Sequence, residues 1–210
     1  MKYGASRTLS ILLIIWLATS VVAGLVQAEP ALAAPGWWNA DWQYRLQLTF
    51  DNSGQTENLI DFPVLVKLTN SNFSYSHCRS DGGDIRFVDA DDATLLNYHF
   101  EEWTYNGDSW IWVEVPQIDG GSSTDYIWLY YGNSGAADAQ DEEGTYDDHF
   151  VAVWHLEEVS GSVYDSTSNG NDGTPSGGLN RNAVGKIDGA DEFNGTDAYV
   201  DCGNVLDVTN

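Results

Sequence analysis

Short runs of alternating apolar and polar residues recur along the chain, and turn residues separate them. The run 44–50 alternates without a break and is followed by the turn sequence Asp-Asn-Ser-Gly at 51–54. The same kind of run recurs at 62–68, 84–89 and 94–103. A two-residue period is that of a strand with one buried face, and Pro63 places the second strand near a sheet edge. No segment after residue 33 keeps a 3.6-residue period, so the sequence predicts an all-β fold that begins with an antiparallel β-sandwich.

Two aromatic-rich runs flank a glycine-containing connection within residues 108–133, and this pattern predicts a β-hairpin. The large rings of one parity are Trp110, Trp112, Tyr126, Trp128 and Tyr130. The opposite parity is mainly aliphatic. The aromatic face is either a platform for stacking sugars or the inner face of a second packed sheet. On the first interpretation the candidate carbohydrate-binding residues are Trp110, Trp112, Trp128 and Tyr130.

The composition is that of a globular, strongly acidic protein. The 210 residues include 13% aromatic residues, and 32 Asp and Glu against 8 Lys and Arg give a formal charge of −24. This charge excludes nucleic acid as a partner class. The acidic residues are either a soluble, self-repelling surface or a source of carboxylate ligands for cations.

Residues 1–33 have the three parts of a secretory signal peptide. Lys2 and Arg7 precede an uncharged run, and small residues provide cleavage sites after Ala28 and Ala33. We therefore predict a secreted or cell-surface protein, with cleavage after Ala33 preferred. Contact with a membrane is expected only through a retained signal segment or through an anchor beyond Asn210.

The two cysteines lie in different predicted domains. Cys78 and Cys202 lack the spacing of a metal or redox motif. We predict buried free thiols.

Several short motifs lie between residues 36 and 133. Among them are Asp-Gly-Gly-Asp-Ile-Arg-Phe at 81–87, Ile-Trp-Val-Glu-Val-Pro at 111–116 and Leu-Tyr-Tyr-Gly-Asn at 129–133. In this order they resemble a bacterial and archaeal family catalogued as domain of unknown function 2341. The resemblance implies an extracellular β-sandwich module without established catalytic residues. It also favours core packing over a sugar platform for residues 108–133, because those motifs then belong to a scaffold.

The chain changes character after residue 133. Residues 134–147 are small and acidic and predict a linker, and 150–156 predicts a strand. Segments within 154–204, such as Phe-Asn-Gly-Thr-Asp-Ala-Tyr-Val at 193–200, resemble the opening of a laminin-G-like, concanavalin A-type jelly roll. Only part of such a domain fits into residues 148–210, so we expect a partial jelly roll and a fragment of a longer protein.

Paired acids and a histidine are the first candidates for chemistry. Glu101-Glu102 and Glu157-Glu158 are adjacent pairs, and neighbours on a strand point to opposite faces, so neither pair can flank one glycosidic bond. His155 and Glu157 would share a face, but no third metal ligand is identifiable from the sequence, which favours a structural histidine. We predict no catalytic residues.

The loop 165–173 is rich in short oxygen-bearing side chains and suits a hard cation. It does not have the ligand order of an EF-hand. Jelly rolls of the resembled kind often bind a structural Ca²⁺, which makes Asp165, Asn171 and Asp172 candidate ligands. An Asx-rich turn is the alternative.

These features predict a non-catalytic module that binds a glycan or another cell-surface polymer. Two alternatives remain open. The chain could supply accessory domains to a larger exported polysaccharide-degrading enzyme, or form the exported front part of a cell-envelope protein of the proton-channel type.

Overall fold

The structure is a computed structural model that describes residues 36–205. The predicted signal peptide lies outside the described residues. Within them the elements are eleven strands and two 3₁₀ turns, at Tyr75–His77 and Glu143–Thr145. The strands are β1 (Tyr44–Thr49), β2 (Leu59–Leu68), β3 (Arg86–Asp89), β4 (Leu95–Leu96), β5 (Tyr98–Glu102), β6 (Ser109–Ile118), β7 (Tyr126–Tyr131), β8 (Thr174–Ser176), β9 (Asn180–Val184), β10 (Gly189–Glu192) and β11 (Tyr199–Asp201). The all-β prediction is confirmed.

Two antiparallel sheets make up the first part of the chain. One has the strand order β1-β7-β3-β4 and the other β2-β6-β5. Apolar side chains from both sheets form one buried cluster, which includes Leu48 and Leu129 from the first sheet and Val66, Ile111 and Val113 from the second. This is a β-sandwich held together by inward-facing aliphatic and aromatic residues. Pro63 lies in β2, at a sheet edge as predicted.

The predicted hairpin within residues 108–133 is wrong. β6 pairs with β2 and β5, whereas β7 pairs with β1 and β3, so the two strands belong to different sheets. The connection between them crosses from one layer of the sandwich to the other. Alternation along each strand correctly separates an aliphatic from an aromatic face, but the hydrogen-bond partners of each strand come from distant parts of the chain.

The predicted strand at 150–156 is also absent. Side chains rather than a strand partner hold this backbone: the Asn171 amide donates to the carbonyl of Val151, and the N–H of Val153 donates to Asp165. Leu156 has a φ of 61°, which ends any extended run. The segment is therefore extended in parts but forms no ladder.

Two short ladders lie in the last part of the described chain, residues 174–201. β9 pairs with β10, and β8 pairs with β11. Both ladders have two strands. The resemblance of this region to a jelly roll stays a prediction.

Candidate functional site

The outer face of the three-stranded sheet carries a group of titratable side chains. On β5, Tyr98 and Phe100 pack against the core, so His99 and Glu101 point the other way. On β6, Trp112 is opposite His99 in the ladder and shares its face. Strand alternation thus brings an imidazole, a carboxylate and an indole together on one surface.

The acidic segment that the sequence predicts as a linker runs across the edge of this sheet. The N–H of Asp141 donates to the carbonyl of Tyr98 at 2.8 Å. The Asn97 amide donates to the carbonyl of Gly144 at 2.8 Å, and the Gln140 side chain accepts from the N–H of Phe100. These bonds attach residues 140–144 to the sandwich.

His155, eight residues after the acidic segment, completes the group. Its Nδ1 lies 2.6 Å from Oε2 of Glu101, and its Nε2 lies 3.3 Å from the hydroxyl of Tyr146. Trp112 Nε1 donates to the same Glu101 oxygen at 2.7 Å. Burial disfavours the imidazolium, but the hydrogen bond and charge of Glu101 outweigh it and raise the pKa of His155. Glu101 and His155 therefore form a partly buried ion pair between the sheet and the segment around His155.

His99 is the unusual member of the group. It is only 6% exposed, and neither of its ring nitrogens has a hydrogen-bond partner. Its ring centre lies 5.3 Å from that of His155. Burial, and then the charge of His155, lower the pKa of His99 to about 4. At neutral pH this residue is a neutral imidazole, and one of its ring nitrogens lies within 4.8 Å of the ligand atoms of Glu101 and His155.

A cavity of about 280 Å³ opens beside these residues. It is lined by His99, Phe100, Glu101, Gln140, Glu142, His155 and Glu157. Burial, then the charge of Glu101 and a hydrogen bond with Asp188, raise the pKa of Glu157 to about 7. His99, Glu101 and His155 each offer one ligand atom, and these atoms lie within 4.8 Å of one another. Among the described residues these three could hold a metal ion.

A second concave surface lies at the edge strand β2. It has a volume of about 420 Å³ and is lined by Ile60, Asp61, Phe62, Pro63, Asp147, His149 and Phe150. Ile60 and Phe62 are 54% and 39% exposed. Asp147 pairs with His149 at 2.7 Å and raises its pKa. This surface, which we call the β2 groove, combines exposed apolar side chains with carboxylates and an imidazole.

The structure divides the four predicted sugar-binding aromatics between the two sheets. Trp110 and Trp112 lie on β6, while Trp128 and Tyr130 lie on β7 in the other sheet. Since the aliphatic residues of both strands fill the shared core, these rings point outward on opposite sides of the sandwich. They do not form one surface.

Neighbouring side chains cover the rings on β7. Tyr130 is fully buried, with Trp37 and Trp38 packed against it. The Arg45 guanidinium lies 3.8 Å from the ring centre of Trp128. The segment before β1 therefore closes this face of the sheet.

The rings on β6 are partly accessible. Lys67 lies 4.5 Å from the ring centre of Trp110, and Trp112 is tied to Glu101 by its indole N–H. Glycan binding by the four predicted aromatics stays a prediction.

The predicted calcium loop is organised by Asp165. Its carboxylate accepts hydrogen bonds from the N–H groups of Val153, Thr167 and Asn171 and from the Thr167 hydroxyl. Asp172 accepts from the N–H of Asp165. Both oxygens of Asp165 are thus used within the chain, a geometry that favours the Asx-rich turn. The calcium site stays a prediction.

We expect the substitution Asp165→Ala to loosen the loop, because it leaves three backbone N–H groups without their acceptor. At about 1 kcal/mol or more for each lost bond, local opening should become about 3 kcal/mol easier. Amide hydrogen exchange of residues 151–172 measures this change. Melting curves with and without millimolar Ca²⁺ test whether the loop binds the ion. A rise in Tm that Asp165→Asn abolishes would support the calcium site. Unchanged curves would support an Asx-rich turn without calcium.

Both cysteines are free and partly buried. Burial raises the pKa of the Cys78 thiol to about 12 and also raises that of Cys202. The structure has both thiols free, and each is partly buried where the sequence predicts a buried one. Thiols with raised pKa values are poor nucleophiles at neutral pH.

In residues 36–205, no helix is both long and apolar enough to cross a bilayer.

The sequence carries one signal for the His99–Glu101–His155 group that strand alternation does not use. The chain contains two copies of the pattern His-apolar-Glu-Glu, at 99–102 and 155–158. In each copy the first and third residues line the same cavity. His99 and His155 occupy the same position in the two copies, and the repeated pattern therefore predicts that they belong to one site.

Comparison with known proteins gives one match. No curated protein matches the chain, and no solved structure does. The matched region differs from the residues 36–133 that carry the resemblance in the sequence. It starts later than residue 36 and extends beyond residue 133, through the acidic segment and the Asp165 loop. Residues 81–173, which contain His99, Glu101 and His155, match the family described as a domain of unknown function (DUF2341).

Proposed function

We propose that the chain is an exported, non-catalytic module that binds a neutral glycan, and that the β2 groove is its binding site. The observation that carries the proposal is that exposed Phe62 and Phe150 line one concave surface together with Asp61, Asp147 and His149. The volume of about 420 Å³ lies in the usual range of small-molecule sites.

The chemistry of the groove suits a sugar. A sugar ring has apolar C–H faces and a polar rim of hydroxyl groups. Phe62 and Phe150 offer apolar ring faces to the C–H faces of the sugar. The carboxylates of Asp61 and Asp147 can accept hydrogen bonds from its hydroxyl groups. A few polar groups placed around an apolar floor are the usual basis of orientation and specificity.

Charge selects a neutral ligand over an anionic one. The chain carries a formal charge of −24, and two carboxylates line the groove itself. Anionic polymers would be repelled at long range and again on contact. Export is supported by the signal-peptide pattern of residues 1–33, and a lectin-like role by the resemblance of residues 154–204 to jelly rolls.

We expect Phe62→Ala to weaken glycan binding about 10-fold, the effect of losing a contact worth about 1.4 kcal/mol. A glycan array with the full chain identifies a ligand, and isothermal titration calorimetry measures its Kd. Trp110→Ala is the matched control, because it removes an aromatic ring from the same sheet but outside the β2 groove. A loss of binding in Trp110→Ala with none in Phe62→Ala would move the site from the β2 groove to the rings of β6.

A further inference from the structure

We propose that His99, Glu101 and His155 bind a divalent transition metal ion, with Zn²⁺ the ion whose preferences fit best. This site is separate from the β2 groove and does not depend on the proposed glycan. It joins β5 to the segment around His155, which belong to regions far apart in the sequence.

The donor set identifies the class of ion. Two imidazole nitrogens and one carboxylate oxygen form a borderline set that Zn²⁺ accepts readily and that is known from three-ligand zinc sites. Ca²⁺ and Mg²⁺ prefer all-oxygen sites. Glu157 lines the same cavity and, like water, can occupy a fourth position.

His99 provides the independent observation. A buried polar group without a hydrogen bond loses its solvation without compensation, and the His99 ring lacks a partner at both nitrogens while it is more than nine-tenths buried. It lies at the wall of the cavity that Glu101 and His155 also line. A metal ion bound there would use the unpartnered lone pair.

The distances permit one ion with small movements. With Zn–N and Zn–O bonds of about 2.1 Å, ligand atoms in a tetrahedral site lie roughly 3.4 Å apart. The three ligand atoms lie within 4.8 Å of one another here. Binding would shorten the longest of these separations and lengthen the 2.6 Å contact between Glu101 and His155.

Outer partners for two ligands are already in place. Trp112 Nε1 donates to Glu101, and the hydroxyl of Tyr146 meets Nε2 of His155. Such contacts orient ligands and fix the imidazole tautomer in known metal sites. His155 would then bind through Nδ1, and the proton it shares with Glu101 would be released when the ion enters.

A plain ion pair is the rival explanation. The contact between Glu101 and His155 accounts for those two residues without any metal. The ion pair does not account for His99, which makes no hydrogen bond to either residue and whose ring nitrogens are buried without a partner. The His99 ring packs against His155 and Tyr146, but only a bound ion would give its nitrogen a partner.

The test uses the full chain without an added histidine tag, stripped of metal with a chelator and then dialysed. Titration calorimetry with ZnCl₂ should show one saturable site, and Zn²⁺ should raise Tm, while Mg²⁺ should do neither. His99→Leu, Glu101→Gln and His155→Leu should each weaken the Kd for Zn²⁺ by about 100-fold or more, since even outer partners of metal ligands contribute 10- to 100-fold. His149→Ala is the matched control. It removes an exposed histidine outside the proposed metal site, in the β2 groove, and should bind Zn²⁺ with the same Kd as the wild type.

His99→Leu keeps the test decisive, because His99 makes no hydrogen bond whose loss would unfold the protein. Circular dichroism confirms its fold before titration. The proposal is overturned if the wild type shows no saturable Zn²⁺ binding, or if His99→Leu binds as tightly as the wild type. Binding that disappears in His149→Ala and persists in His99→Leu would place the ion at the exposed Asp147–His149 pair and would also overturn it.

Discussion

Asp84→Ala should lower the free energy of unfolding by about 4 kcal/mol, because it removes a buried acceptor of three backbone hydrogen bonds. Asp84 is 1% exposed, and its carboxylate accepts from the N–H groups of Arg79, Gly132 and Asn133. Alanine would leave three N–H groups without an acceptor, each costing about 1–3 kcal/mol. Urea unfolding followed by tryptophan fluorescence measures the loss.

Asp81→Ala is the control for this prediction. Asp81 lies in the same loop, but its carboxylate is solvent-exposed and pairs with Arg79 at the surface. Its removal should have a much smaller effect because surface ion pairs contribute little. Equal losses from the two substitutions would show that the loop charge, and not the buried acceptor, stabilises the fold.

His99 should make the metal-free protein less stable in acid. Its pKa falls from the ordinary 6.5 to about 4 in the folded state, so unfolding takes up a proton between these values. The contribution is fully present above pH 6.5 and is lost as pH falls towards 4, by about 3 kcal/mol in all. The raised pKa of His155 acts in the opposite direction.

Comparison of the wild type with His99→Leu isolates this contribution. With chelator present, urea unfolding of both proteins at several pH values should give curves that diverge below pH 6.5, with the wild type losing more. Glu101, Glu142 and His155 face His99 and are unchanged in the comparison. Parallel curves would contradict the assignment of a low pKa to His99.

Alternation along single strands was readable from the sequence. Ile111 and Val113 share one face as their parity requires, and the structure buries that face in the core, while His99 and Glu101 share the outer face of β5. The sequence could not show that β6 and β7 enter different sheets, because their partners β2, β5, β1 and β3 are remote along the chain. The sugar platform depended on that unknown pairing.

The position of His155 at the candidate metal site also could not be predicted from the sequence. A strand at 150–156 was predicted from apolar residues, but the position of His155 depends on hydrogen bonds from Asn171 and to Asp165, and on the positive φ of Leu156. These are contacts between side chains and a distant backbone. The alternation of apolar and polar residues carries no information about such contacts.

The sequence by itself determined the all-β class, the division of the strands into two side-chain faces and the acidic character, because these depend on local alternation and on composition. Tertiary structure decided which strands are neighbours, which aromatic rings are covered, and that His155 meets His99 and Glu101. The physical reason is that hydrogen bonds and burial between remote segments set these distances. The candidate metal site exists only where two such segments meet.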